Sequence, residues 1–140
     1  MHQRQDQTSD IHPLQRLRAL LVDYDFEFSE LLNGLAATLW GFWLLLPWDS
    51  FGRTSSFAAM RELAPEWLWG ATICGLGIIQ IAGLIAGWWR WRRRSALILC
   101  GVWAFIAVML AQANISGTGT VIYPLFSLSA MWAYLRMRFV

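Results

Sequence analysis

The chain has 140 residues, of which 57% are hydrophobic and only 14% charged, with a mean hydropathy of +0.44 and a formal net charge of +2. One domain is the length expectation, and it is more apolar than a soluble domain of this size carries. A net charge of +2 is too small to suggest a dedicated nucleic-acid binder, and none is expected as a partner.

The first ten residues, MHQRQDQTSD, are polar and read as a disordered tail over 1–10. Pro13 suits a first helical turn, and Leu14, Leu17, Leu21, Tyr24, Phe28 and Leu31 recur at helical spacing. Residues 11–28 are therefore expected to form an amphipathic helix lying in a membrane interface. The alternation in DYDFEF argues for a strand instead, but a lone strand beside a membrane leaves its backbone unpaired.

No charge occurs from Leu31 to Leu46, from Trp67 to Trp89 or from Ser95 to Met109. A hydrocarbon core of about 30 Å needs roughly 20 apolar helical residues, so these runs predict membrane helices. Four spans are expected over 29–138: about 29–46, 65–89, 95–114 and 120–135. The fold class is thus all-α, an integral membrane four-helix bundle with an N-terminal interfacial helix. Phe57, Met60 and Ala64 predict a short outer-face helix between spans one and two, lying flat on the membrane. Pro65 and Glu66 open span two, and Pro124 falls in the first turns of span four.

Orientation follows from arginine, since the chain contains no lysine. With both termini cytoplasmic, nine arginines lie inside (Arg4, Arg16, Arg18, Arg90, Arg92, Arg93, Arg94, Arg136, Arg138) and two outside (Arg53, Arg61). No secretory signal is expected, because the first long apolar run begins some thirty residues in. The expected location is the inner (plasma) membrane of a bacterium.

Tryptophan is enriched to ten residues. Trp48, Trp67 and Trp69 fall at the expected outer boundary, and Trp88, Trp89 and Trp91 at the inner one, where indole anchors to headgroups. In GWWRWRRRS, Arg90, Arg92, Arg93 and Arg94 are expected to fix topology and attract anionic lipid headgroups. Gly83 and Gly87 form a GxxxG pair, and Ala104, Ala107 and Ala111 share a face, as helix-packing candidates; Ala37 and Gly41 are similarly spaced. Thr38, Gln80, Trp103 and Ser127 reach similar depths on four spans and are expected to form a midplane hydrogen-bonded layer around Gln80.

An enzyme is not expected. The two histidines are His2 and His12, and no nucleophile motif, phosphate loop, metal cluster or cofactor site is recognisable. Cys74 and Cys100 would lie about 22 Å and about 9 Å above the inner boundary, too far apart for a disulfide. Two carboxylate groups remain: Asp49, Glu62 and Glu66 outside, and Asp23, Asp25, Glu27 and Glu30 inside. Each would hold a cation, form a salt-bridged rim or simply be solvated.

At LWGFWLLLPWD and MRELAPEWLWG the chain resembles small four-pass membrane proteins of phage and bacterial genomes. That resemblance implies a prokaryotic or phage origin and carries no catalytic residue. The expected partners are the bilayer, a second copy of the chain or another membrane protein. Two function classes follow: a structural and interaction protein of the inner membrane, or a holin-like pore or small channel.

Overall fold

A computed structural model describes residues 25–53, 55–113 and 115–139. The expected tail over 1–10 and most of the expected interfacial helix over 11–28 lie outside the described residues. Where the interfacial helix overlaps them, it is not separate: α1 (Asp25–Leu45) is one continuous helix through the expected boundary, and DYDFEF is helical from Asp25 onward.

Three more long helices follow, α4 (Glu66–Ala86), α5 (Trp89–Ala113) and α6 (Gly119–Phe139). Between α1 and α4 lie α2 (Ser50–Arg53), a 3₁₀ turn (Ser55–Phe57) and α3 (Ala58–Leu63). Among the described residues there is no strand. Helix α5 starts six residues before the expected Ser95, so most of GWWRWRRRS is helix and not connection. Only Gly87 and Trp88 separate α4 from α5.

The turn at Gly87 explains that economy. Gly87 is left-handed (φ 68°), and both its own N–H and that of Trp88 return to the Gly83 carbonyl. This caps the last carbonyls of α4 and reverses the chain within two residues.

The long helices form a closed ring in which each packs on its chain neighbours and α6 returns to α1. A Cβ on Gly34, Gly77 or Gly41 would meet Ile81, Thr38 or Cys74 respectively, so each step along α1 matches an equal step back along α4. The pair is antiparallel and unusually close. A Cβ on Gly41 would lie 2.3 Å from the Cys74 nitrogen, and one on Gly77 2.5 Å from the Thr38 nitrogen. Gly34 and Gly41 on one helix face Gly70 and Gly77 on the other, both pairs at heptad spacing, which lets the backbones touch.

These contacts revise the packing candidates. Gly41 and Ala37 do lie in the α1 interface. Gly83 faces Arg92, but Gly87 is an exposed cap with no neighbour within 4 Å of a Cβ, so the GxxxG pair does not join two helices. Ala107 is buried, Ala111 half-buried and Ala104 exposed, because the buried stripe of α5 runs through Leu99, Trp103, Ile106 and Leu110.

The far end of the bundle is closed by the α2–α3 segment. Glu66 at the start of α4 accepts the Ser50 N–H (3.2 Å) and the Phe51 N–H (3.3 Å), capping α2 from across the fold. Phe51 stacks on Phe57 at 5.2 Å, and Phe51 and Met60 are buried in the main core beside Leu44 and Leu110. The short helix seen in the sequence therefore turns its apolar face toward the bundle.

Polarity is arranged inside out. Large apolar side chains, among them Leu35, Leu39, Ile78, Ile85, Ile98, Val108, Leu125 and Leu128, are exposed on all four long helices. Glu30, Asn33, Gln80, Arg92 and Ser95 are buried. Two helices, α4 and α5, are long and apolar enough to cross a membrane, and only 28% and 39% of their most apolar stretches are buried.

Candidate functional site

The buried polar side chains gather at the Gly87 end of the bundle. On α1 the interior stripe is Glu30, Asn33, Ala37, Gly41 and Leu44; on α4 it is Gly70, Ile73, Gly77, Gln80 and Gly83; on α5 it begins at Arg92 and Ser95. Each stripe advances by three or four residues, so helical periodicity alone turns these polar groups inward.

Arg92 is the centre. Its Nε lies 3.1 Å from Glu30 Oε2 and 3.4 Å from Oε1, its Nη2 also donates to Glu30 Oε2, and Nη2 lies 3.4 Å from Glu27 Oε1. Glu30 is 0% and Arg92 5% exposed, so this is a desolvated ion pair joining α1 to α5. Room for the arginine stem comes from Gly83, where a Cβ would sit 3.2 Å from Arg92 Cγ. The guanidinium also lies 5.4 Å from the centroid of the Trp89 ring.

Gln80 extends the network to α4. Its Nε2 donates to Glu30 Oε1 at 3.1 Å, and its Oε1 accepts from the Ser95 hydroxyl, whose single proton can alternatively reach the carbonyls of Trp91 (2.8 Å) or Arg92 (3.0 Å). Gln80 and Ser95, like Gly83 and Arg92, are equally spaced about the Gly87 turn, which brings each pair to one level. Asn33 ties in α6: its Nδ2 donates to Ser129 Oγ at 2.9 Å and to the Ser29 carbonyl at 3.0 Å. Two carboxylates, one guanidinium, one amide and one hydroxyl thus connect α1, α4 and α5, and the separate Asn33–Ser129 bond joins α1 to α6, leaving Asn33 Oδ1 buried without a partner.

The expected midplane layer does not form. Gln80 bonds Glu30 and Ser95, Thr38 donates to the Gly34 carbonyl (2.8 Å), and Ser127 donates to the Cys100 carbonyl (3.0 Å). The Trp103 indole N–H is buried without a partner. The cause is the early start of α5, which raises Ser95 and Arg92 to the level of Gln80. Cys74 and Cys100 are free thiols.

Among the four arginines, Arg90, Arg93 and Arg94 are exposed and Arg92 is not, which corrects its assignment to the headgroups. Trp48, Trp67, Trp88, Trp89 and Trp91 are exposed. Trp69 is instead half-buried, donating its indole N–H to the Met60 carbonyl (3.1 Å) and stacking on Phe105 at 5.7 Å. The roles of Glu30 and Asn33 were missed in the sequence, although both lie on the stripe that continues through Ala37 and Leu44. Arg92 was equally visible there as the one arginine in register with Ser95, Leu99, Trp103 and Ile106.

The network holds no recognisable nucleophile, and among the described residues no three His, Cys, Asp or Glu side chains are grouped to hold a metal ion. What it can do chemically is fix helix register, because separating Glu30 from Arg92 strands a buried charge. No protein family, no curated protein and no solved structure matches the chain. The class that fold and site define is an all-helical bundle with an apolar exterior, a polar interior at one end and two helices able to cross a membrane.

Proposed function

We propose that the chain is a four-pass protein of the bacterial inner membrane, with both termini cytoplasmic, acting as a structural and interaction protein. The observation that carries this reading is the inverted polarity: Glu30, Asn33, Gln80, Arg92 and Ser95 are buried while leucine, isoleucine and tryptophan cover the outside. In water that exterior would favour aggregation; in lipid it is the solvated surface, and in the interior Glu30, Arg92, Gln80 and Ser95 pair with one another where hydrocarbon offers no partner. Arg90, Arg93, Arg94, Arg136 and Arg138 are exposed at the Gly87 end, as a cytoplasmic rim for anionic headgroups requires. Beyond lipid, its partners would be a second copy or another membrane protein. A phage or bacterial setting rests on the resemblance of the boundary motifs.

The pore reading has less support. Above the network Ala37, Ile73, Leu99, Trp103 and Ile106 are buried together as an apolar core. A two-part experiment tests the proposal in bacteria. Single cysteines introduced into a background lacking Cys74 and Cys100 should react with an impermeant maleimide at Thr118→Cys, and not at Trp88→Cys or Arg138→Cys unless the membrane is opened. Membrane potential should persist on expression. Reversed labelling, or extraction of the chain by alkaline carbonate, would overturn the placement; rapid depolarisation would overturn the interaction reading in favour of a pore.

A further inference from the structure

The exposed arginines at the Gly87 end fall on different flanks of the bundle, and hydrogen bonds identify those flanks. On α6, Ser127 donates to the Cys100 carbonyl of α5 at 3.0 Å, whereas Ser129 accepts from Asn33 of α1 at 2.9 Å. Steps of three or four residues carry the first flank from Ser127 through Met131 and Tyr134 to Arg138, and the second from Ser129 through Trp132 to Arg136. On α5 the same count leads back from Cys100 through Ala96 to Arg93. Arg93 and Arg138 therefore border one seam, between α5 and α6, from opposite sides, and Arg136 borders the other.

Ala96, Ala133 and Met137 close the seam, with Tyr134 packed against them. Packed helices run roughly 8–10 Å apart, so arginines on the two rims can reach one ligand. Neither rim is neutralised. Among the described residues the ion pairs at this end are those of Arg92, with Glu30 and with Glu27. Arg93 and Arg138 are exposed, as are Arg90 and Arg94, and the first turn of α5 has no acid to offset its positive helix end. Arg136 differs, since its guanidinium lies over the Trp132 ring at 5.3 Å. Above the arginines both helices expose hydrocarbon, Leu97 on α5 and Met131 and Leu135 on α6.

We propose that the α5–α6 seam at the Gly87 end seats one phospholipid whose headgroup carries two phosphates joined by a glycerol, the chemistry of cardiolipin. This deepens the membrane placement proposed above and rests on it. Basic groups between adjacent spans on the cytoplasmic side suit such a headgroup. A lipid with one phosphate neutralises one rim and leaves the other, whereas two linked phosphates meet Arg93 with Arg90 on α5 and Arg138 on α6 together. Once the first phosphate is held, the second binds from within the same molecule. The acyl chains then lie on Leu97, Met131 and Leu135. A second copy of the chain fits less well, because a symmetric contact on this face would set arginine against arginine.

The test uses the full chain in mild detergent, with native mass spectrometry counting bound lipid. Cardiolipin and phosphatidylglycerol are compared at equal phosphate concentration. Cardiolipin is expected to bind as one molecule per chain and about tenfold more tightly, the gain from linking its two phosphates. Arg93→Ser and Arg138→Ser should each weaken cardiolipin about fivefold, the worth of one arginine beside an anionic headgroup. Arg136→Ser removes the same charge from the other flank and should leave cardiolipin binding unchanged. Equal binding of the two lipids to the unmodified chain, which requires no variant to fold, overturns the proposal. So do equal effects of Arg136→Ser and Arg138→Ser, or a dimer of the chain in place of the lipid adduct. Extraction by alkaline carbonate would overturn the membrane placement and this site with it, whereas a chain retained in the membrane but indifferent to cardiolipin overturns the site alone.

Discussion

Arg92 on α5 closes on Glu30 of α1, across the bundle, with both side chains withdrawn from solvent and Gln80 of α4 held to the same carboxylate. Removing one partner of such a pair leaves the other charge stranded, which costs about 3–5 kcal/mol, whereas replacing both by apolar groups can be neutral. Arg92→Met and Glu30→Met should each lower thermal stability in detergent markedly, and the double variant should recover most of it. Additive losses would show that the two residues act independently.

The α1–α4 crossing makes a prediction that separates glycines by place. Gly41→Ala puts a methyl 2.3 Å from a backbone nitrogen, a contact that only helix separation relieves. The expected loss is about 1–3 kcal/mol, as for other overpacked interiors. Gly75→Ala and Gly101→Ala meet nothing within 4 Å and should be neutral or slightly stabilising, since alanine is the better helix former. Melting curves of the three variants decide it; equal effects would mean that close approach is not what Gly41 provides.

Glu66 joins two segments that are distant in the sequence by capping α2 with its carboxylate. Glu66→Ala should release the Ser50 and Phe51 amides, with their hydrogen exchange accelerating by about an order of magnitude for a charge-assisted bond of roughly 1.5 kcal/mol. Protection of the α5 interior at Leu99 should remain. Unchanged exchange at Ser50 and Phe51 would show that the short helix is held by Phe51 and Met60 alone.

The arginine cluster divides by burial. Replacing Arg90, Arg93 and Arg94 together with serine should weaken the association of anionic lipid with the detergent-solubilised chain by about 1 kcal/mol per residue, screened by salt, and disturb the labelling topology in cells. Melting temperature should stay close to that of the unmodified chain. Arg92→Met should do the reverse, lowering stability while leaving the association of anionic lipid nearly intact. A melting temperature that falls equally in both variants would remove the distinction.

Much of the architecture was legible in the sequence by itself. Three charge-free runs of helical length marked the first three long helices, Pro65 marked the start of α4, and the spacing of Phe57 and Met60 announced the short helix before it. Arginine asymmetry and the tryptophan belts carried an expected orientation. These are local properties: composition, periodicity and backbone chemistry within one turn or two.

What only the tertiary structure decided is which face of each helix is inside. In a helix that is apolar all round, hydropathy gives no preferred direction, so small and polar residues could be assigned to interface, lipid or midplane with equal economy. The two-residue turn at Gly87 set the level at which α4 meets α5, and with it Arg92 moved from the headgroups to the interior and Gln80 from the midplane to Glu30. Glycine mattered for a similar reason. Gly34, Gly41, Gly70 and Gly77 are visible in the sequence as four separate residues, but their function as one contact exists only when two backbones approach closely enough for a missing Cβ to count.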